Sequence, residues 1–169
     1  MGSGKSTVVE RLGGAPEPLD KWGVWLSLFY GNPKRYGLGF QMKVLLEFCR
    51  MGGKITERSP MDALHVFSAL LLQNGDLTQD EFDLLSEYTA KFGWTPDVYV
   101  YIRTDPAVCL QRVQRRGREC EASITLELLQ AIHEKYEKLI RTLPCVHVVD
   151  GNQDPSKVLE AVQNILYVY

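Results

Sequence analysis

The run Val98-Tyr99-Val100-Tyr101-Ile102 does most to narrow what this chain can become. Five consecutive β-branched or aromatic residues without polar alternation describe a strand buried on both faces, and such strands belong to parallel sheets covered by helices. The rest of the sequence supplies those helices. Residues 5–12 read as a short helix that stops at Gly13-Gly14, and residues 15–20 carry two prolines and must be extended or turn. A helix over 22–30 ends at Gly31-Asn32-Pro33, and another over 38–51 ends at Gly52-Gly53. Residues 54–57 read as a short strand and residues 61–73 as a helix broken by Asn74-Gly75. Thr78 with Glu81 three residues on is a capping box for the next helix. Asp105-Pro106 opens a helix that ends in an arginine cluster. Residues 125–141, 146–149 and 155–166 then read as helix, strand and helix. Strands alternating with helices predict an α/β fold with a parallel sheet flanked by helices. No repeat or low-complexity linker divides the 169 residues, so one domain is expected.

Composition removes several classes of function. A net charge of −2 gives no general attraction to nucleic acid, and no apolar run approaches the ~20 residues that cross a membrane. Cys49, Cys109, Cys120 and Cys145 are scattered, with neither a CxxC pair nor zinc-like spacing. They predict reduced thiols in a cytosol-like compartment, and with no signal peptide ahead of the first motif a cytoplasmic location is expected.

Gly2-Ser3-Gly4-Lys5-Ser6-Thr7 is the strongest local motif. Glycines let successive backbone N–H groups point at an anion, a lysine reaches β- and γ-phosphates, and a hydroxyl can hold Mg²⁺. Lys5 and Ser6 suit those two tasks. The first glycine of the full pattern G-x-x-x-x-G-K-[ST] would fall before Met1, and the strand that normally leads into such a loop is missing. On its own the motif is also compatible with a solvated loop.

Further residues appear in a fixed order: Glu17-Pro18-Leu19-Asp20-Lys21-Trp22, then Phe40-Gln41, then Glu57-Arg58-Ser59, then Arg112-x-x-x-Arg116-x-Arg118-x-x-Glu121. Taken with the loop, they resemble the deoxynucleoside kinases and herpes-type thymidine kinases over residues 2–150, nearly the whole chain. The resemblance implies a P-loop kinase-like fold, here lacking its first strand, with Mg²⁺ and with ATP as phosphoryl donor. It makes Gly2, Ser3, Gly4, Lys5, Ser6 and Thr7 the phosphate loop. Arg112, Arg116 and Arg118 become part of a lid over about 112–123, and Asp150 part of the adenine-contacting loop. Glu17 matches the general base, Arg58 a phosphate- and base-orienting arginine, and Ser6 with Glu57 the magnesium site. Gln41 matches the residue that reads the base and Phe67 the aromatic that stacks on it. Trp22, Val44, Phe48 and Ala63 match walls of the pocket, and Tyr30 with Glu121 the groups holding the sugar 3′-hydroxyl. A deoxynucleoside is the implied partner and a homodimer the implied assembly, with no nucleic acid and no membrane.

Elementary chemistry agrees with several of these roles. A 5′-hydroxyl is a poor nucleophile, so a carboxylate must orient it and accept its proton. Gln41, Val44 and Phe48 fall on one helix face, where a glutamine amide can pair with a pyrimidine edge. Arg112, Arg115, Arg116 and Arg118 would ordinarily be a solvated helix end, and Arg115 lies outside the family spacing. Alanine at 63 leans away from deoxycytidine-preferring relatives, which carry an aspartate there, and Phe48 narrows the pocket. Thymidine is therefore the expected substrate. Two rivals remain at this stage: a thymidylate kinase, and a nucleotide-binding relative impaired by a short N-terminus. A chain beginning upstream of Met1, and with it a mitochondrial form, also stays open, as do cellular and viral origins.

Overall fold

The computed structural model describes residues 1–51, 55–117, 121 and 124–169. Its chain forms two compact units, one of Met1–Gly13 with Asp97–Tyr169, the other of Gly14–Pro96.

The first unit carries the sheet. Strands β1 (Tyr99–Arg103) and β2 (Val146–Asp150) pair in parallel, Tyr99 opposite Val146 through Arg103 opposite Asp150. Helices α1 (Lys5–Arg11), α7 (Pro106–Arg116), α8 (Leu126–Leu139) and α9 (Pro155–Leu166) surround it. Val8 of α1, Ile102 and Val149 of the strands, and Val158 and Val162 of α9 form one core. Cys109, Val113, Ile124 and Leu129 form a second, between α7 and α8. Local chemistry sets the starts of these helices. Asp105 Oδ1 accepts from the Ala107 N–H at 2.8 Å with proline at the first helical position, and Thr125 Oγ1 accepts from the Leu128 N–H at 3.2 Å.

The expected burial of β1 on both faces holds over its second half, where the adjacent residues Tyr101 and Ile102 point to opposite faces. Tyr101 and Ile102 are buried but Tyr99 and Val100 are only half-buried. The described sheet has two strands, so β1 is paired along one edge by β2.

The second unit is helical: α2 (Leu19–Gly31), α3 (Pro33–Arg50), α4 (Pro60–Asp62), a π-helical segment (Ala63–Ser68), α5 (Ala69–Asn74) and α6 (Gln79–Phe92). Trp22, Phe40, Val44, Leu45, Phe48, Leu64 and Leu85 lie in its core. Trp22 meets Phe40 and Phe48 edge-on at centroid distances of 5.9 and 6.0 Å. Gly23, at φ 31° and ψ −113°, kinks α2. Asn32 ends that helix and starts the next: its Oδ1 accepts from the Arg35 N–H at 3.1 Å, with Pro33 first in α3. The capping box is present, Thr78 Oγ1 accepting from the Glu81 N–H and Glu81 Oε2 from the Thr78 N–H.

The strand expected over 54–57 reduces to a single parallel bridge, Ala15 with Thr56; residue 54 lies outside the described residues. The Ala15 N–H donates to Ile55 O at 2.8 Å and Glu57 N–H to Ala15 O at 3.0 Å. Pairing stops there because Pro16 interrupts the segment and the Glu17 N–H turns to the Glu57 carboxylate, 3.5 Å away.

Candidate active site

In the first unit the phosphate loop packs on α7. Gly2 has φ +68°, and a Cβ on it would lie 2.4 Å from the Cys109 carbonyl oxygen, so only glycine fits. Gly4, at φ +97°, precedes α1, with nothing within 4 Å of where its Cβ would be. The first turn of α1 carries Lys5, Ser6 and Thr7. Lys5 Nζ donates to Ser3 Oγ at 3.4 Å, and Thr104 Oγ1 donates to Ser3 O at 3.4 Å, tying the loop to the end of β1. Burial pushes the Cys109 thiol up, which leaves it a packing group and not a nucleophile.

A cavity of about 250 Å³ lies beside the loop. Ser3, Gly4, Thr7 and Val8 line one side, Arg112 and Arg115 another, and Gly151, Gln153 and Val158 the far wall. The Arg112 Nη1 donates to Gly151 O at 2.9 Å. Asp150 ends β2, and its carboxylate accepts from the Asn152 N–H at 2.9 Å, turning the chain toward that wall. Arg116 and Glu121 form a two-point ion pair, its Nε lying 3.2 Å from Glu121 Oε2. Arg118 lies outside the described residues. Sequence reasoning had set Arg115 aside and had not named Arg11, which also lines the cavity. Arginines at helix ends carry no sequence signal that separates a cavity wall from a solvated terminus.

In the second unit Glu17 Oε1 lies 2.9 Å from Arg58 Nε, close enough for an ion pair although that N–H is poorly aligned as a hydrogen bond. Arg58 is buried and its guanidinium sits 4.4 Å from the Phe67 ring centroid. Burial and the ring hold the arginine still, and the arginine in turn holds the carboxylate. Asp62 accepts from the Ser59 N–H and hydroxyl at 2.7 Å each, fixing the turn that follows Arg58. Gln41 is buried, its Oε1 accepting from Ser68 Oγ at 3.3 Å. The same hydroxyl reaches Ala63 O at 2.9 Å across the wide turn of the π-helical segment, a distortion often found at functional sites. Val44, Phe48 and Ala63 are buried. Trp22 is buried too, and its Nε1–H finds no acceptor among the described residues. Tyr30 is exposed on α2 in this unit, while Glu121 belongs to the other. Ser6 and Glu57 likewise belong to different units. Both offer the hard oxygen donors that Mg²⁺ takes, though no group of three or more His, Cys, Asp or Glu positioned for a metal occurs among the described residues.

Known proteins resemble this chain in sequence and in fold. A thymidine kinase of Ictalurid herpesvirus 1 (strain Auburn) is 31% identical, over 98% of this chain and 82% of that one. The mitochondrial thymidine kinase 2 of Macaca fascicularis is 33% identical, over 82% of this chain and 60% of its own length. A deoxyadenosine kinase from M. mycoides, solved with bound dCTP, shares the fold at a TM-score of 0.82 and 20% identity, covering 100% of this chain and 96% of that one. The deoxynucleoside kinase family matches residues 1–166, and the chain belongs to it.

Proposed function

We propose that this chain, working as one kinase domain, moves the γ-phosphoryl group of ATP to the 5′-hydroxyl of a deoxynucleoside, with thymidine preferred. The observation that carries the reading is the Glu17–Arg58–Phe67 stack: a carboxylate 2.9 Å from a buried arginine that is itself clamped by a ring. A base so held can wait in one position for a hydroxyl proton, as positioned proton transfer requires.

The proposed division of work is as follows. Gly2 to Thr7 cradle the donor's phosphates, with Lys5 on the β- and γ-phosphates. Arg112, Arg116 and Arg118 balance charge on the transferring group and, as a lid over about 112–123, keep water out. Glu17 accepts the 5′-hydroxyl proton as the oxygen attacks phosphorus in line, and Arg58 orients both Glu17 and the acceptor. Gln41 reads the base edge, Phe67 stacks on it, and Trp22, Val44, Phe48 and Ala63 wall the pocket. Tyr30 and Glu121 take the 3′-hydroxyl, and Asp150 shapes the loop against the donor's base. Ser6 and Glu57 would hold Mg²⁺, which when bound neutralises phosphate charge.

Preference for thymidine is supported by the absence of a carboxylate at 63 and by the bulk of Phe48, buried to 1% exposure. The test is a set of initial rates with thymidine, deoxycytidine, deoxyadenosine and deoxyguanosine at fixed ATP. Thymidine is expected to give the highest kcat/KM; equal or faster turnover of a purine deoxynucleoside would overturn the preference.

A further inference from the structure

Arg11 ends α1 and Arg115 lies in the last turn of α7, and both line the cavity beside the phosphate loop. Among the described residues neither has a carboxylate partner, and no acidic side chain lines the cavity. A third arginine there, Arg112, donates one of its N–H groups to Gly151 O. Val8, Val158 and Leu159 supply an apolar floor, so the space suits a flat ring with polar edges.

Guanidinium groups offer five N–H donors and no acceptor. A base edge facing Arg11 and Arg115 must therefore present acceptors. Guanine does so with O6 and N7 side by side, and uracil with O4, whereas adenine and cytosine turn an amino group to the same place. A donor–donor meeting leaves both groups unpaired, which costs more than a missing contact. Gln153 offers an amide oxygen to an amino group, since its nitrogen turns toward Asp150 Oδ2 at 3.5 Å, and Ser3, Thr7 and Gly151 carry further acceptors, but these are neutral groups set against two guanidinium cations.

We propose that Arg11 and Arg115 make this cavity selective for a phosphoryl donor with a keto-edged base, guanine foremost, so that ATP is used without being preferred. The proposal rests on the reading of this face as the donor site.

The test is titration calorimetry of the purified chain with GDP and with ADP, in the absence of nucleoside, repeated on Arg11→Ala and Arg115→Ala. GDP is expected to bind about tenfold more tightly than ADP, the size of one two-point arginine–guanine contact. Each substitution should cut that ratio to about threefold or less, chiefly by weakening GDP. ADP binding as tightly as GDP would overturn the proposal, as would an equal loss of both ligands in Arg115→Ala, or no binding of either. Initial rates with GTP, UTP and ATP at fixed thymidine separate the two readings. Phosphorylation from ATP with ADP the tighter ligand sinks the base selectivity and leaves the kinase. The expected GDP preference without phosphorylation of any nucleoside keeps the selectivity and sinks the kinase.

Discussion

At the scale of single residues, Gly2 and Glu47 show how little latitude a position can have. Gly2→Ala would place a methyl group 2.4 Å from the Cys109 carbonyl at a φ of +68°. A cost of about 1–3 kcal/mol in stability is expected, read from urea midpoints, with a parallel loss of ADP affinity because the loop must shift. Glu47 is buried among cations: Lys43 Nζ at 2.6 Å, with Arg50 at 3.7 Å and Lys21 at 3.8 Å. The hydrogen bond from Lys43 outweighs burial and holds the carboxyl below its ordinary value of 4.5. A depressed folded-state pKa contributes stability that is complete above the unfolded value and disappears as pH falls through the folded one. Glu47→Gln should therefore cost about 2 kcal/mol at pH 7 and progressively less below about pH 4.5, checked by urea unfolding across that range. A cost that stays constant with pH would mean the pair contributes nothing as a charge.

At the scale of elements, what the sequence disclosed was local. The Thr78 and Glu81 box and the Asp105-Pro106 start each involve residues within three positions, and each lies where sequence reasoning put it. Removing the first box by Thr78→Ala should lower stability by about 1 kcal/mol in thermal or urea unfolding, with nucleoside phosphorylation little changed. Pairing across the chain was harder to read. The 54–57 segment has strand-like residues, yet its ladder depends on Pro16, some forty positions away. The β1 run announced its strand but not its partner, since the pairing with β2 joins residues more than forty positions apart. The π-helical turn at Ala63–Ser68 also went unseen: periodicity gives a helix, and only the Ser68 hydroxyl reaching back five residues marks the wider turn. Glu17, Arg58 and Phe67 were legible as candidates through family order, but their stacking is a product of folding. Arg11 and Arg115 were not, because an arginine at a helix end looks the same whether it faces water or a ligand.

At the scale of the whole molecule, the described residues divide into two units with separate cores, one centred on Val8, Ile102 and Val149, the other on Leu45, Phe48 and Leu85. Under the proposed function the first unit takes the phosphoryl donor, and the nucleoside falls to the second apart from Glu121. Gln41→Leu should accordingly raise the nucleoside KM roughly tenfold or more while leaving the KM for ATP within about twofold, measured by varying each substrate in turn. Parallel changes in both constants would argue against that division. No helix of the described residues is long and apolar enough to cross a membrane.

The measurement that bears most directly on the central claim is product formation from thymidine and ATP, resolved by chromatography, for the wild-type chain and for Glu17→Gln, with dTMP as a parallel acceptor. The account predicts that the wild-type chain converts thymidine to dTMP. It predicts that Glu17→Gln lowers kcat by ~10²-fold or more while ATP affinity barely moves, because only the proton acceptor is lost. A near-normal rate in Glu17→Gln, or phosphorylation of dTMP with thymidine untouched, would contradict it.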